Sequence, residues 1–344
     1  MRWITGAALS LMAVLAPPLA AQEKAAPDYP PLPELVAERF SDGRFEPGDF
    51  DYLKGFFPEA SEAEKAQYAQ LTKWLAECEE QGRARLDAEL EELGVSLELS
   101  TYTSAQASVC RQVVRGEQFQ GRFATHADLK AASKEARLVF ATLVETIRLT
   151  EQRVQPLESD FARELEVRPV GEQLIRLSFR WTRVPNDDPR LPHLSEDAAA
   201  VFNALVLGEM GRVDRENTAW LKARIEENDG WPSISQVGEK AADMAWLLVQ
   251  HADHDPAFQL KALRLMEPLA AQGDVSKGNY AYLYDRIMLK LTGKQRFGSQ
   301  ITCKDGERAP HTLEEPDRID DLRAEMGLDP ISDYLKLFGE CSTS

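Results

Sequence analysis

Ser61-Glu-Ala-Glu64-Lys-Ala-Gln-Tyr68-Ala-Gln-Leu71-Thr-Lys-Trp74-Leu75-Ala-Glu-Cys78 is the stretch that decides the fold. Ser61 and Glu64 form a capping-box pattern, in which each side chain satisfies a backbone N–H that the first helical turn leaves unpaired. Tyr68, Leu71, Trp74, Leu75 and Cys78 then recur at helical spacing, and Leu86, Leu90 and Leu93 extend the stripe to Gly94. The same period returns at Val109–Val114 and over Ala127–Val154, where Leu138, Phe140, Leu143, Ile147 and Leu149 carry it. Leu174, Leu177 and Trp181 make a further apolar stripe. The expectation is an all-α, helix-bundle-like chain.

Toward the C-terminus the punctuation sharpens. Ser233 and Gln236 have capping-box spacing and predict a helix running to His251. Asp255-Pro256 supplies an N-cap and a first-turn proline for the next helix, which Gly273 ends. Ser276 caps another helix, stopped by Gly293. Residues 300–312 change character. Ile301-Thr302-Cys303 and Arg308 flank Asp305-Gly306, a type I′ turn signature, so one small β-hairpin is expected there. A helix from about Glu314 to Met326 and a short one after Asp329-Pro330 complete the chain.

Met1-Arg2, an uncharged run from Trp3 to Ala16 and small residues at Ala20-Ala21 read as a signal peptide over residues 1–21. The four prolines of residues 22–33 read as an extended linker. Pro185-Asn-Asp-Asp-Pro-Arg-Leu-Pro192 is dense in proline and aperiodic, which divides an N-terminal helical domain, 34–185, from a C-terminal module, 193–344. The expected compartment is the periplasm or the exterior, with no membrane insertion once the signal is cleaved. Export makes disulfides the natural use of Cys78, Cys110, Cys303 and Cys341. Four cysteines allow three pairings. Cys78–Cys110 with Cys303–Cys341 is preferred because it keeps one bridge in each half. Their spacing matches no zinc-ligand pattern, so no metal site is expected.

The 344 residues carry 40 Lys+Arg against 57 Asp+Glu, a net charge of −17. Such a balance argues against a nucleic-acid partner and against docking on anionic lipid. A small polar ligand or another exported protein remains as partner. No G-x-S-x-G elbow, H-E-x-x-H, phosphate loop or dinucleotide fingerprint is present, and no motif names a cofactor.

The chemistry-bearing residues concentrate at Gln250-His251-Ala-Asp253-His254-Asp255 and at Asp285-Arg286, two adjacent charged residues that interrupt an otherwise apolar helix. His251, Asp253 and Asp285 are the candidate catalytic residues, His251 as acid/base and either aspartate orienting it. Arg286, Gln295, Gln300 and Trp231 are candidate ligand-binding residues. Structural readings compete: a histidine suits a helix C-terminus, and a buried Asp-Arg pair can pin helices together. Binding module, polar structural network and exported hydrolase all stay open. Trp231-Pro232, Val237-Gly238, Gln250-His251-Ala-Asp253, Gln259, Asp285-Arg286 and Gln295-x-Phe-Gly298-x-Gln300 occur in order, followed by Asp320, Arg323, Gly327-Leu328 and Tyr334-Leu335. Over roughly residues 214–338 this pattern resembles a bacterial family catalogued as domain of unknown function 6624. The resemblance implies that the scattered polar residues belong to one module, and it implies no activity.

Overall fold

The computed structural model describes residues 29–41, 44–95, 110–155, 160–182 and 190–341. The expected signal peptide, most of the linker and most of the 185–192 boundary lie outside them. The chain is mainly helical: α1 (Glu34–Ala37), α2 (Glu62–Glu92), α3 (His126–Val154), α4 (Phe161–Val167), α5 (Val170–Ser178), α6 (Glu196–Glu227), α7 (Ile234–Val237), α8 (Glu239–Gln250), α9 (Pro256–Gln272), α10 (Lys277–Thr292), α11 (Ile319–Glu325) and α12 (Ile331–Leu335). Two antiparallel hairpins accompany them, β1 (Phe40–Ser41) with β2 (Arg44–Phe45), and β3 (Ile301–Lys304) with β4 (Glu307–Pro310). Among the described residues no helix is long and apolar enough to cross a membrane.

Local signals explain most of the boundaries. At Ser61 both halves of the capping box form: the Glu64 N–H donates to Ser61 Oγ at 3.3 Å, and the Ser61 N–H donates to Glu64 Oε2 at 2.8 Å. Asp255 accepts from the Phe258 N–H at 2.9 Å and starts α9. Asp305 and Gly306 take φ values of 53° and 85°, the left-handed pair that a type I′ turn needs. Both expected disulfides are present, Cys78–Cys110 and Cys303–Cys341.

Three expectations need correction. The Ser233 cap opens only the single turn of α7, because Gly238 (φ 81°) breaks the helix before α8. Pro316 starts a 3-10 turn, Pro316–Arg318, so α11 begins only at Ile319. Of the Val109–Val114 stretch, Val109 lies outside the described residues, and Cys110, Val113 and Val114 are buried at and after a 3-10 turn, Cys110–Gln112, rather than on a helix. The β1–β2 hairpin was not expected at all.

Two large hydrophobic clusters, and a small third one of Ala281, Phe297 and Leu322, hold the described residues together. The first gathers Phe50, Tyr52, Leu71, Trp74, Phe119, Leu129, Phe202 and Val206. The second gathers Leu86, Leu90, Leu221, Trp231, Leu248, Phe258, Leu263, Leu283 and Ile287. Helices α2 and α6, of 31 and 32 residues, give one end to each cluster. The clusters therefore do not divide at 185–192. Where they meet, the 110–118 segment, the middle of α6 and the α8–α9 turn face one another across a cleft.

Tight packing of the first cluster yields one test. Gly55 sits in the 3-10 turn Asp51–Phe56 against α2, and a Cβ there would lie 2.1 Å from the Glu64 carbonyl oxygen and 2.6 Å from Tyr68 Cβ. Since a backbone carbonyl cannot swing aside, Gly55→Ala is expected to cost about 2 kcal/mol in urea denaturation. An unchanged midpoint would contradict this packing.

Candidate functional site

Helix α5 places a charge pair at i, i+4 on its inward side. Glu172 is fully buried there, one turn before Arg176. A buried carboxylate must be hydrogen-bonded or it would not stay ionised. Asn217 Nδ2, from α6, donates to Glu172 Oε2 at 3.0 Å, and Gln173 Nε2 donates to Oε1 at 3.2 Å. Arg168 Nε in turn donates to Asn217 Oδ1 at 2.8 Å, which fixes the orientation of that amide. His251, just past the last turn of α8, brings Nδ1 to 2.7 Å from Glu172 Oε1. Burial pushes the Glu172 carboxyl up, but the His251 hydrogen bond, with the Arg176 charge and the Asn217 hydrogen bond, brings it below its ordinary value.

Arg176 Nη2 contacts both carboxylate oxygens of Asp214 at 2.9 Å. Burial outweighs that guanidinium, and the neighbouring Glu172 charge adds to burial, so the Asp214 carboxyl is pushed up to about 6. His254 is driven the other way, to about 4, by burial and the nearby Arg215.

These groups line a cleft of about 680 Å³. Arg111 and Arg115 enter it from the 110–118 segment, Arg215 from α6 and Arg286 from α10, beside Arg176. Five guanidinium groups thus face two aspartates of the lining, Asp214 and Asp253, and Arg115 is also paired with Glu79, within a chain whose net charge is −17. Asp253 is clamped between Arg286, whose Nε lies 2.8 Å from Oδ1, and Lys290. Burial opposes the Asp253 charge, yet the two cations hold its carboxyl well below the usual carboxylate range. Leu207 and Met210 supply an apolar wall.

The sequence candidates separate into two groups. His251, Asp253 and Arg286 meet in the cleft. Asp285, Gln295 and Gln300 meet elsewhere, in the loop that follows α10. There the fully buried Asp285 carboxylate accepts the N–H groups of Arg296 and Phe297 at 2.8 Å and of Ser299 at 2.7 Å. Gln295, also fully buried, spans the same loop: its Nε2 donates to the Gln300 carbonyl at 2.9 Å, and its Oε1 accepts the Gln300 N–H at 2.9 Å. The Gln300 side chain turns to Ser299 Oγ at 3.1 Å. From α11, buried Arg323 donates to the Phe297 carbonyl at 2.7 Å and lies over the Tyr334 ring. Trp231 packs in the second hydrophobic cluster. Among the described residues no three His, Cys, Asp or Glu side chains converge as a metal site would need.

Glu172, Arg176, Asp214 and the arginines of 110–118 escaped the sequence reading. Their available signal was a Glu lying on the buried stripe of α5 with Gly171, Ile175 and Ser178.

Residues 193–343 match a family of unknown function, DUF6624. No curated protein and no solved structure matches the chain. The matched region contains His251, Asp214, Asn217 and Arg286, whereas Glu172, Arg176, Arg111 and Arg115 precede it.

Proposed function

We propose that the cleft binds a small anionic ligand through a phosphate or similar oxyanion group. The observation that carries this reading is the guanidinium array, five arginines gathered in one cleft of an acidic chain, of which Arg115, Arg176 and Arg286 are held in place by Glu79, Asp214 and Asp253. Guanidinium groups match oxyanions with paired N–H donors, and a partly enclosed site strengthens each contact. The overall negative charge still disfavours long polyanions, whose flanking phosphates would meet the acidic surface. The compartment that fits is oxidising and extracytoplasmic, supported by the two disulfides and by the apolar segment at residues 3–16.

Calorimetric titration with inorganic phosphate at pH 7.5 tests the reading. Saturable 1:1 binding is expected, weakened roughly tenfold by Arg111→Ala, as for loss of one charge-assisted hydrogen bond. Absence of binding would refute it.

A pH dependence follows from Asp214. Its folded-state value of about 6 means that the group is ionised at pH 7.5, where it repels an anion and occupies Arg176, and protonated below 6, where it does neither. With sulfate as the probe, whose charge is constant over this range, affinity is expected to rise as the pH falls through 6. Asp214→Asn, which imitates the protonated state, should bind sulfate more tightly than the parent at pH 7.5. Weaker binding by that variant would contradict this electrostatic account.

A further inference from the structure

Resting on the anion-binding reading, we propose that the cleft hydrolyses phosphate monoesters, with His251 as the general base that activates water and Glu172 as its positioning residue. Nδ1 of His251 lies 2.7 Å from a carboxylate oxygen of Glu172, so Nδ1 carries the proton and donates it to that bond. Nε2, across the ring, is left as a bare base on a side chain that lines the cleft. Glu172 is itself held at both oxygens, by Asn217 at 3.0 Å and by Gln173 at 3.2 Å, and Arg168 holds Asn217. A chain of hydrogen bonds through four side chains thus ends on one imidazole, which is the support a base of fixed orientation needs.

The lining limits the reaction. Among the described residues that line the cleft, none carries a hydroxyl or a thiol. A seryl, threonyl, tyrosyl or cysteinyl intermediate has no candidate there, and Asp214 and Asp253 are engaged by Arg176 and by Arg286 with Lys290, so the proposal assigns the nucleophile to water. Phosphoryl transfer to water asks a protein mainly for positioning and for charge stabilisation of the equatorial oxygens, and arginines supply both. Leu207 and Met210 give the organic part of the ester an apolar wall.

The step balances without a further reactant. The water oxygen forms a bond to phosphorus as one of its protons moves to His251 Nε2. The ester P–O bond breaks on the opposite side, its electron pair leaves on the alcohol oxygen, which takes a proton from solvent, and the imidazolium releases the proton it took to solvent. The products are the alcohol and inorganic phosphate. Glu172 stays ionised throughout and stabilises the imidazolium.

The test uses the full, oxidised protein with p-nitrophenyl phosphate. Steady turnover is expected, inhibited competitively by inorganic phosphate with a Ki equal to the Kd found by direct titration. His251→Asn should keep phosphate binding within about threefold and lose at least roughly a hundredfold in kcat, the usual share of a general base. Glu172→Gln should lower kcat while leaving KM within about twofold, a split that a merely structural role would not produce. Phosphate binding without turnover would overturn the hydrolysis and leave the binding reading standing. Absence of both would overturn both. Equal turnover by the parent and His251→Asn would remove His251 from the reaction. Should that variant fail to fold, turnover by the parent that saturating phosphate does not inhibit would overturn the proposal equally.

Discussion

Asp285→Ala is expected to be among the most destabilising single substitutions in the chain, at about 4 kcal/mol, with melting lowered by roughly 5–10 °C. The carboxylate is fully buried and accepts three backbone N–H groups, from Arg296, Phe297 and Ser299. Alanine would strand all three donors away from water, and each such donor costs about 1–3 kcal/mol. The loop also shelters Phe297 and receives Arg323 at the Phe297 carbonyl, so its loosening would reach α11. Asp285→Asn should lie between, since its amide turns one N–H toward a donor that needs an acceptor. Differential scanning calorimetry checks the ranking, and titration of the folded variant with phosphate checks that the cleft is untouched. A variant that melts with the parent, or that folds normally and loses phosphate, would contradict the structural assignment of Asp285.

Breaking Cys78–Cys110 is expected to damage stability and binding together. The bridge closes a separation of 32 residues, and removing it returns about 3–4 kcal/mol of chain entropy to the unfolded state. It also anchors Cys110 to α2, immediately before Arg111 and the 110–118 wall of the cleft. The double variant Cys78→Ser, Cys110→Ser should therefore bind phosphate more weakly even where it is fully folded. Cys303–Cys341 is the internal control. It closes a similar separation, 38 residues, but ties the β3–β4 hairpin to the C-terminal tail, away from the cleft. Its loss should cost comparable stability and leave phosphate affinity unchanged. Urea denaturation and calorimetric titration of both double variants decide this. Equal effects of the two bridges on binding would contradict the architecture of the cleft.

What could be read from the sequence was whatever neighbouring residues settle among themselves. The Ser61–Glu64 box, the Asp255-Pro256 start, the Asp305-Gly306 turn and the stripe from Tyr68 to Leu90 are local, and each has its expected counterpart in the fold. Where a local signal misled, a nearby residue overruled it, as Gly238 does after the Ser233 cap. The site was harder because its contacts are distant in the chain. His251 lies 79 residues from Glu172, and Asn217 lies 45 from it. No spacing rule links such positions, and the C-terminal residues alone suggested aspartate partners for the histidine. Gln295 and Gln300 show the opposite failure. Two amides beside a glycine look the same in sequence whether they face a ligand or their own loop, and here they close the loop.

The claim that the cleft is a ligand site is tested most directly by the five histidines, His126, His193, His251, His254 and His311. Only His251 and His254 line the cleft. In histidine-selective NMR spectra recorded during titration with inorganic phosphate, the ring resonances of these two should move together and saturate with one Kd, while those of His126, His193 and His311 stay in place. Five unmoved histidines, or shifts confined to the three outside the cleft, would contradict the account.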